Sequence, residues 1–271
     1  MSTVTVDRHA GTPDSMRAWE RAEIERSDVE ASLSAERSLA VSARTWTRYA
    51  NPPADTAYPL EYAYHQLGDV QGRTVLDFGC GSGANTVLLA NRGARVVAVD
   101  ISESLLRLAA RRLEANGVLG AASFIAASAH DLPLPSDSVD VVFGIAILHH
   151  LDLALVSREV HRVLKPGGRA IFQEPVRNSA VLRFARRLIP YHAPDVSPFE
   201  RPLFDRELRA FAAPFRTCQM RAFGLPHVRV GELLPGWRRN PDALYQTDAK
   251  LLAALPALAR YASIKVVTLE K

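Results

Sequence analysis

Apolar positions along the middle of the chain fall into two alternating rhythms. Val75-Leu76 and Val96-Val97-Ala98-Val99 are short apolar runs that meet an acid, Asp77 or Asp100, and they read as buried strands. Ser123–Ala127, Val139–Ile145 and Arg169–Gln173 supply a third, fourth and fifth strand. The segments between them have helical spacing. One helix is expected from about Ala84 to Arg92. Another, over 103–115, places Leu105, Ala109 and Leu113 four residues apart and stops at Asn116-Gly117. A third carries Leu153, Val156, Val160 and Val163 and ends at Lys165-Pro166-Gly167-Gly168. Strands separated by helices imply a parallel sheet, with ligands beyond the carboxyl ends of its strands.

The flanks are less regular. Residues 1–15 read as a flexible N-terminus. Ser15–Ala50 is charged and helix-prone, with Trp19, Ile24, Val29, Leu33, Leu39 and Trp46 irregularly spaced, which suggests one or two helices laid across the site. Tyr58–Leu67 reads as a helix leading into the first strand. After Pro175 an amphipathic helix with an arginine-rich face is expected at Ser179–Leu188, then a loop at Pro190–Pro202 containing Tyr191, His192, Asp195, Phe199, Glu200 and Arg201. A helix near 205–212, a strand near 217–223, a loop at Pro226–Asn240, a helix at Leu244–Tyr261 and a strand at Ser263–Leu269 complete the pattern. The expected organisation is one domain over 16–271: a helical cap (16–70), a ligand-binding core (72–175), a lid (176–213) and C-terminal strands and helix (214–271).

Composition agrees. A chain of 271 residues, 48% hydrophobic, buries a full α/β core. No apolar run approaches the ~20 residues that span a bilayer, and Asp7, Arg8, His9 and Asp14 leave no apolar signal core. Two cysteines, Cys80 and Cys218, suggest no disulfide framework, so the expected compartment is the cytoplasm. The net charge of +4 is spread along the chain, and Arg111-Arg112, Arg186-Arg187 and Arg238-Arg239 read as solvated helix faces. With aromatics at only 7%, no nucleic-acid groove is expected.

The chemistry concentrates at the end of the first strand. Gly79, Gly81 and Gly83 alternate there, and glycine brings backbone close to a ligand. A carboxylate at Asp100 suits the two hydroxyls of a ribose. An adenosine-containing cofactor follows, either a nicotinamide dinucleotide or S-adenosylmethionine. Asp77, two residues before the first glycine, faces an ammonium well but repels a pyrophosphate. Gly83 is a third glycine that the dinucleotide pattern does not require. Both features favour the sulfonium. Cys80 reads as a small loop filler.

Four ordered pieces then carry a resemblance: VLDFGCGSG at 75–83, VVAVDIS at 96–102, AHDLPLPSDSVDVVFGIAILHHL at 129–151 and EVHRVLKPGGRAIFQEP at 159–175. Over about residues 72–175 the chain resembles the class I S-adenosylmethionine-dependent methyltransferases, in particular the type 11/12 small-molecule group. The resemblance implies a Rossmann-like doubly wound α/β sheet, mostly parallel, with one antiparallel C-terminal strand beside the fifth. It implies S-adenosyl-L-methionine as cofactor. Asp77, Gly79, Cys80, Gly81 and Gly83 would hold its methionyl part and Asp100 its ribose. Ile101 would pack on adenine, with His130 and Asp131 at the adenine edge and Ala146 near the methionyl amino group. Tyr49 or Arg48 of the N-terminal segment would close over it.

Methyl transfer demands collinear placement, and a hydroxyl acceptor gains from a base of near-neutral pKa. His149 and His150 follow the fourth strand and Glu174 ends the fifth, so all three are catalytic candidates. His149 is the expected base. Glu174 would orient it or bind a substrate hydroxyl, while His150, by the resemblance, would cap or pack near the next helix. His192 and Arg201 are lid candidates. No metal spacing is present. The expected reaction is methylation of a small organic acceptor, a natural product or similar metabolite, at a hydroxyl or carboxylate oxygen. Alternatives are methylation of carbon, nitrogen or a peptide carboxylate, a cyclisation with the cofactor bound structurally, and a lipid or quinone modifier docking through arginines near 183–187. No stable membrane insertion is expected, and the oligomeric state is open.

Overall fold

The computed structural model describes residues 13–34, 38–180, 184, 202–233 and 241–271. Seven strands form one sheet: β1 Thr74–Phe78, β2 Arg95–Asp100, β3 Ala122–Ala126, β4 Val139–Ile145, β5 Leu164–Pro175, β6 Thr217–Phe223 and β7 Ile264–Glu270. Their order is β3-β2-β1-β4-β5-β7-β6. The first five pair in parallel, and β7 lies antiparallel between β5 and β6. The order reverses between β1 and β4, the place where open α/β sheets leave a crevice for ligands.

The described helices are α1 Pro13–Ser34, α2 Ala43–Ala50, α3 Pro59–Leu67, α4 Ala84–Asn91, α5 Glu103–Ala115, α6 Leu153–Val163, α7 Asp205–Phe211, α8 Pro226–Leu233 and α9 Pro241–Ala254. Successive strand residues point to opposite faces, and that two-residue period sorts them into two cores. Leu76, Phe78, Val142 and Phe172 pack with Val156 and Val160 of α6 and Phe211 of α7. Val75, Val141, Phe143 and Ile171 pack with Tyr64 and Leu67 of α3 and Val87 and Leu89 of α4. Phe172 meets Phe78 and Phe211 edge to face, with centroids 6.1 and 5.5 Å away, the arrangement that ring quadrupoles favour.

Several expectations shift. Residues 13–15, read as untethered, already belong to α1. The fifth strand begins at Leu164, five residues before Arg169, and runs through Pro166-Gly167-Gly168 by way of a register shift opposite Val139/Val141. Gly168 makes this possible, because a Cβ there would lie 2.8 Å from the Lys165 carbonyl. The loop expected at 226–240 is helical over Pro226–Leu233. Proline suits a first helical position, since its missing N–H needs no partner there, and Asp248 accepts from the Gly224 and Leu225 amides just before it. The helix expected through Tyr261 ends at Ala254, and Pro256 opens a separate 3-10 turn, Pro256–Tyr261. Most of the expected lid, 181–183 and 185–201, lies outside the described residues, and with it His192, Arg201 and the arginine face near 183–187.

Gly83 and Gly81 differ in what confines them. Gly83 sits at φ +77 where α4 crosses α5, and a Cβ there would approach Ala109 Cβ to 2.7 Å. Gly81, at φ +52, has nothing within 4 Å of a built Cβ. Gly83→Ala adds overpacking to left-handed strain and should cost about 2–4 kcal/mol in urea unfolding, against about 1–2 kcal/mol of strain alone for Gly81→Ala. Equal losses would contradict this packing argument.

Candidate functional site

A cavity of about 390 Å³ opens at the carboxyl ends of β1 to β4, within the usual range for small-ligand pockets. Its floor is the glycine turn after β1. The Gly79 and Cys80 amides both donate to the Val99 carbonyl, and the Gly81 amide donates to Asp100 Oδ2 at 2.8 Å. Asp100 Oδ1 accepts from the Ser102 amide at 2.9 Å. These two amides fix the orientation of the Asp100 carboxylate at the edge of the cavity. The open space over Gly81 is the cradle that a side chain would fill. An adenosyl ligand fits this combination of bare backbone and acid.

Gly79, Gly81, Asp100, Ile101, His130, Ala146, His149 and His150 all line the cavity. The other expected residues lie behind it or away from it. Cys80 is buried against Ala98, Leu106 and Phe124, and burial pushes its thiol pKa well up, which suits a filler and not a nucleophile. Gly83 caps α4 and packs on α5. Asp131 is exposed and outside the lining. Tyr49 is outside it too: its ring packs against Tyr64 of α3 at a tilt of 43°, 5.0 Å between centroids. Arg48 pairs with Glu61. The wall expected from those two residues comes instead from α1, through Trp19, Glu20, Glu23, Arg26 and Ser27. These five lie on one helical face, but the face is mostly polar, so apolar periodicity does not reveal it. Only Trp19 stood out in the sequence.

Histidine tautomers follow from the partners. His130 Nε2 accepts from the Asp152 amide at 3.0 Å, so Nδ1 carries the hydrogen, facing Ser128 Oγ and Glu20. Burial lowers its pKa, against the pull of Glu20 and Asp152, which favours the neutral ring. His149 Nδ1 lies 2.9 Å from Glu174 Oε2. Since Glu174 Oε1 already takes the Ile147 and Leu148 amides at 2.9 and 2.7 Å, the carboxyl group acts as acceptor throughout. Nδ1 of His149 therefore donates, and Nε2 is left as the ring's basic atom. His150, expected as a cap, shares the cavity wall with His149. Its Nδ1 approaches Glu23 Oε2 at 3.3 Å. No group of His, Cys, Asp and Glu able to hold a metal occurs among the described residues.

Asp77 faces α4, where Thr86 Oγ1 donates to it at 2.5 Å. Burial pushes its pKa up to about 7, against the Thr86 hydrogen bond, and the Asp100 charge adds to the rise. The folded protein then holds a proton that the unfolded chain, with a pKa near 3.8, releases. Stability must fall as pH rises from about 4 to about 7 and level off above, at about 1.4 kcal/mol per pH unit at most. Comparing ligand-free wild type with Asp77→Asn by urea unfolding at pH 5 and pH 8 checks this. The variant should lack about 2–3 kcal/mol of the wild-type decline, and parallel declines would refute the assignment.

Comparison with known proteins agrees with this geometry. Residues 76–172 match the family model of a methyltransferase domain. The methyltransferase GfsG of Streptomyces halstedii is 39% identical over 111 residues, covering 40% of this chain and 40% of the relative. The ubiquinone/menaquinone biosynthesis C-methyltransferase UbiE of Escherichia coli is 36% identical over 115 residues, 39% of this chain and 45% of the relative. The chain thus matches less than half the length of either. Geranyl diphosphate C-methyltransferase from Streptomyces coelicolor A3(2), solved with S-adenosyl-L-homocysteine, superposes with a TM-score of 0.53 at 17% identity, covering 77% of each chain, which is a likeness of fold. Residues 76–172 are thus similar to a methyltransferase domain, and the seven-stranded sheet around them has the fold of the solved methyltransferase.

Proposed function

We propose that this chain transfers a methyl group from S-adenosyl-L-methionine to a small-molecule acceptor, at the oxygen of a hydroxyl group. The observation that carries this reading is the His149–Glu174 pair on the cavity wall beside the glycine turn. Bound in the cavity, the cofactor supplies an electrophilic methyl group on a sulfonium. The chain's residues do the rest. The Gly79–Gly81 backbone and Asp100 hold the adenosyl and methionyl parts, with Ile101 and His130 flanking adenine and Ala146 by the amino group. His149 Nε2 takes the hydroxyl proton as the oxygen attacks, while Glu174 keeps Nδ1–H in place and stabilises the imidazolium. A carboxylate acceptor has no proton to give up, so a built base favours a hydroxyl.

Methylation at carbon is the second reading, and the kinship with the C-methyltransferase UbiE supports it. A base serves that reaction too, removing a proton from the acceptor. No helix among the described residues is long and apolar enough to cross a membrane, and both cysteines are unpaired. We place the reaction in the cytoplasm on that basis.

Label transfer from methyl-labelled cofactor into fractionated cell extract, followed by mass and NMR analysis of the product, identifies the atom; a carbon-bound label replaces the first reading with the second. On the acceptor so found, His149→Ala should lower turnover ~10²-fold or more, the usual worth of a general base, with S-adenosylhomocysteine affinity unchanged. Undiminished turnover removes His149 from the mechanism. Asp100→Asn, read by calorimetric titration with S-adenosylhomocysteine, should weaken binding about 10- to 100-fold, as expected for charged hydrogen bonds to hydroxyls. An unaltered affinity would remove Asp100 from the ribose.

A further inference from the structure

The turn after β4 carries two histidines side by side, and each has a carboxyl group against its Nδ1. Glu174 of β5 lies 2.9 Å from His149, and Glu23 of α1 lies 3.3 Å from His150. The two rings are 4.1 Å apart between centroids, tilted by 42°. All four side chains are buried, and His149, His150 and Glu23 line the same cavity.

The two carboxyl groups are anchored differently. Glu174 belongs to a strand paired on both edges, with Ile145–Gln173 and Glu174–Lys265 in its register. Glu23 arrives on a helix that packs on α5 and crosses the mouth of the cavity. A buried carboxyl group costs several kcal/mol unless it meets donors or opposite charge. Glu23 Oε2 takes the Arg26 guanidinium, 3.2 Å away on its own helix, and lies 3.3 Å from His150 Nδ1 across the cavity wall, a close approach without hydrogen-bond geometry. Arg26 travels with the helix, whereas the approach to His150 exists only with α1 docked. Seating α1 therefore closes the cavity and gives His150 its carboxyl group in one event. Because His150 packs on His149, the state of one ring constrains the other.

We propose that Glu23 is a positioning residue, coupling the seating of α1 over the cofactor cavity to the pose of His150 and, by ring contact, of His149. The proposal rests on the reading above that this cavity takes S-adenosylmethionine. Its consequence is that Glu174 fixes His149 Nδ1 at all times, while the final pose of His150 against it is reached only with α1 seated.

A double-mutant cycle on the full chain tests it, with S-adenosylhomocysteine as probe. Stopped-flow release is measured for wild type, Glu23→Ala, His150→Ala and the double variant, and ¹⁵N-histidine NMR of each complex reads the His149 ring. Each single variant should speed release about 3- to 10-fold, and the double variant no more than the faster single one, as for contacting residues. Glu23→Ala should also shift the His149 ring nitrogens, which a merely structural contact in α1 would leave in place. Rates that multiply in the double variant, or an unmoved His149 signal, overturn the coupling. If Glu23→Ala does not fold, Glu23→Gln and His150→Gln run the same cycle. Failure of the wild type to bind the probe refutes the cofactor reading and the coupling with it; tight wild-type binding with multiplicative variants refutes the coupling alone.

Discussion

The site depends on one buried carboxyl group. Glu174 has no exposed surface and takes three hydrogen bonds, from the Ile147 and Leu148 amides and from His149 Nδ1. With any of these removed, a charged or polar group would be left without a partner away from water, which is costly. The three donors bend the chain sharply after β4, where Ala146 adopts φ +56 with its amide on the Gln173 carbonyl. A left-handed alanine costs roughly 1–2 kcal/mol, and the hydrogen bonds to Glu174 offset it. The same turn presses Ile147 against the glycine loop, so closely that a Cβ on Gly79 would lie 2.6 Å from the Ile147 side chain. One acid thus holds the turn and His149, and Ile147 carries that constraint to the glycine floor of the cavity.

Two other acids show how strand parity decides chemistry. Asp77 and Asp100 each end an apolar run and look alike in sequence. Asp77 shares a face with Val75, so it points toward α4 and is buried against Thr86. Asp100 closes its strand, where the Gly81 and Ser102 amides fix its carboxylate at the cavity. The first tends to hold a proton; the second lines the cavity. The nearby Asp100 charge raises the pKa of Asp77 further, so a cation entering the cavity would relieve both.

The core of the fold was legible because its signals are local. Alternating periods of two and 3.6 mark strands and helices, and the glycines between them report turns that other residues resist. Gly79, Gly81, Asp100, Ile101, His130, Ala146 and His149, singled out by such local signals, all line the one cavity at the strand ends. Misplacements occurred where an element's role depends on a distant partner. The helix at Pro226 is secured by Asp248, more than twenty residues on. Tyr49 looked like a cover, but Tyr64 draws it to the other face of the sheet. Asp131, beside His130 in sequence, turns outward.

Strand and helix order, the acid-flanked glycine turn and the carboxylate after the second strand could be read without coordinates. Each arises from steric and hydrophobic rules acting over a few residues. Folding alone settled which groups face one another across the cavity. Glu23 meets His150 and Glu20 approaches His130 only once α1 lies across the sheet ends, at separations of more than one hundred residues. Contacts between polar groups so far apart leave no periodic trace in a chain, because nothing about either partner's neighbours requires the other.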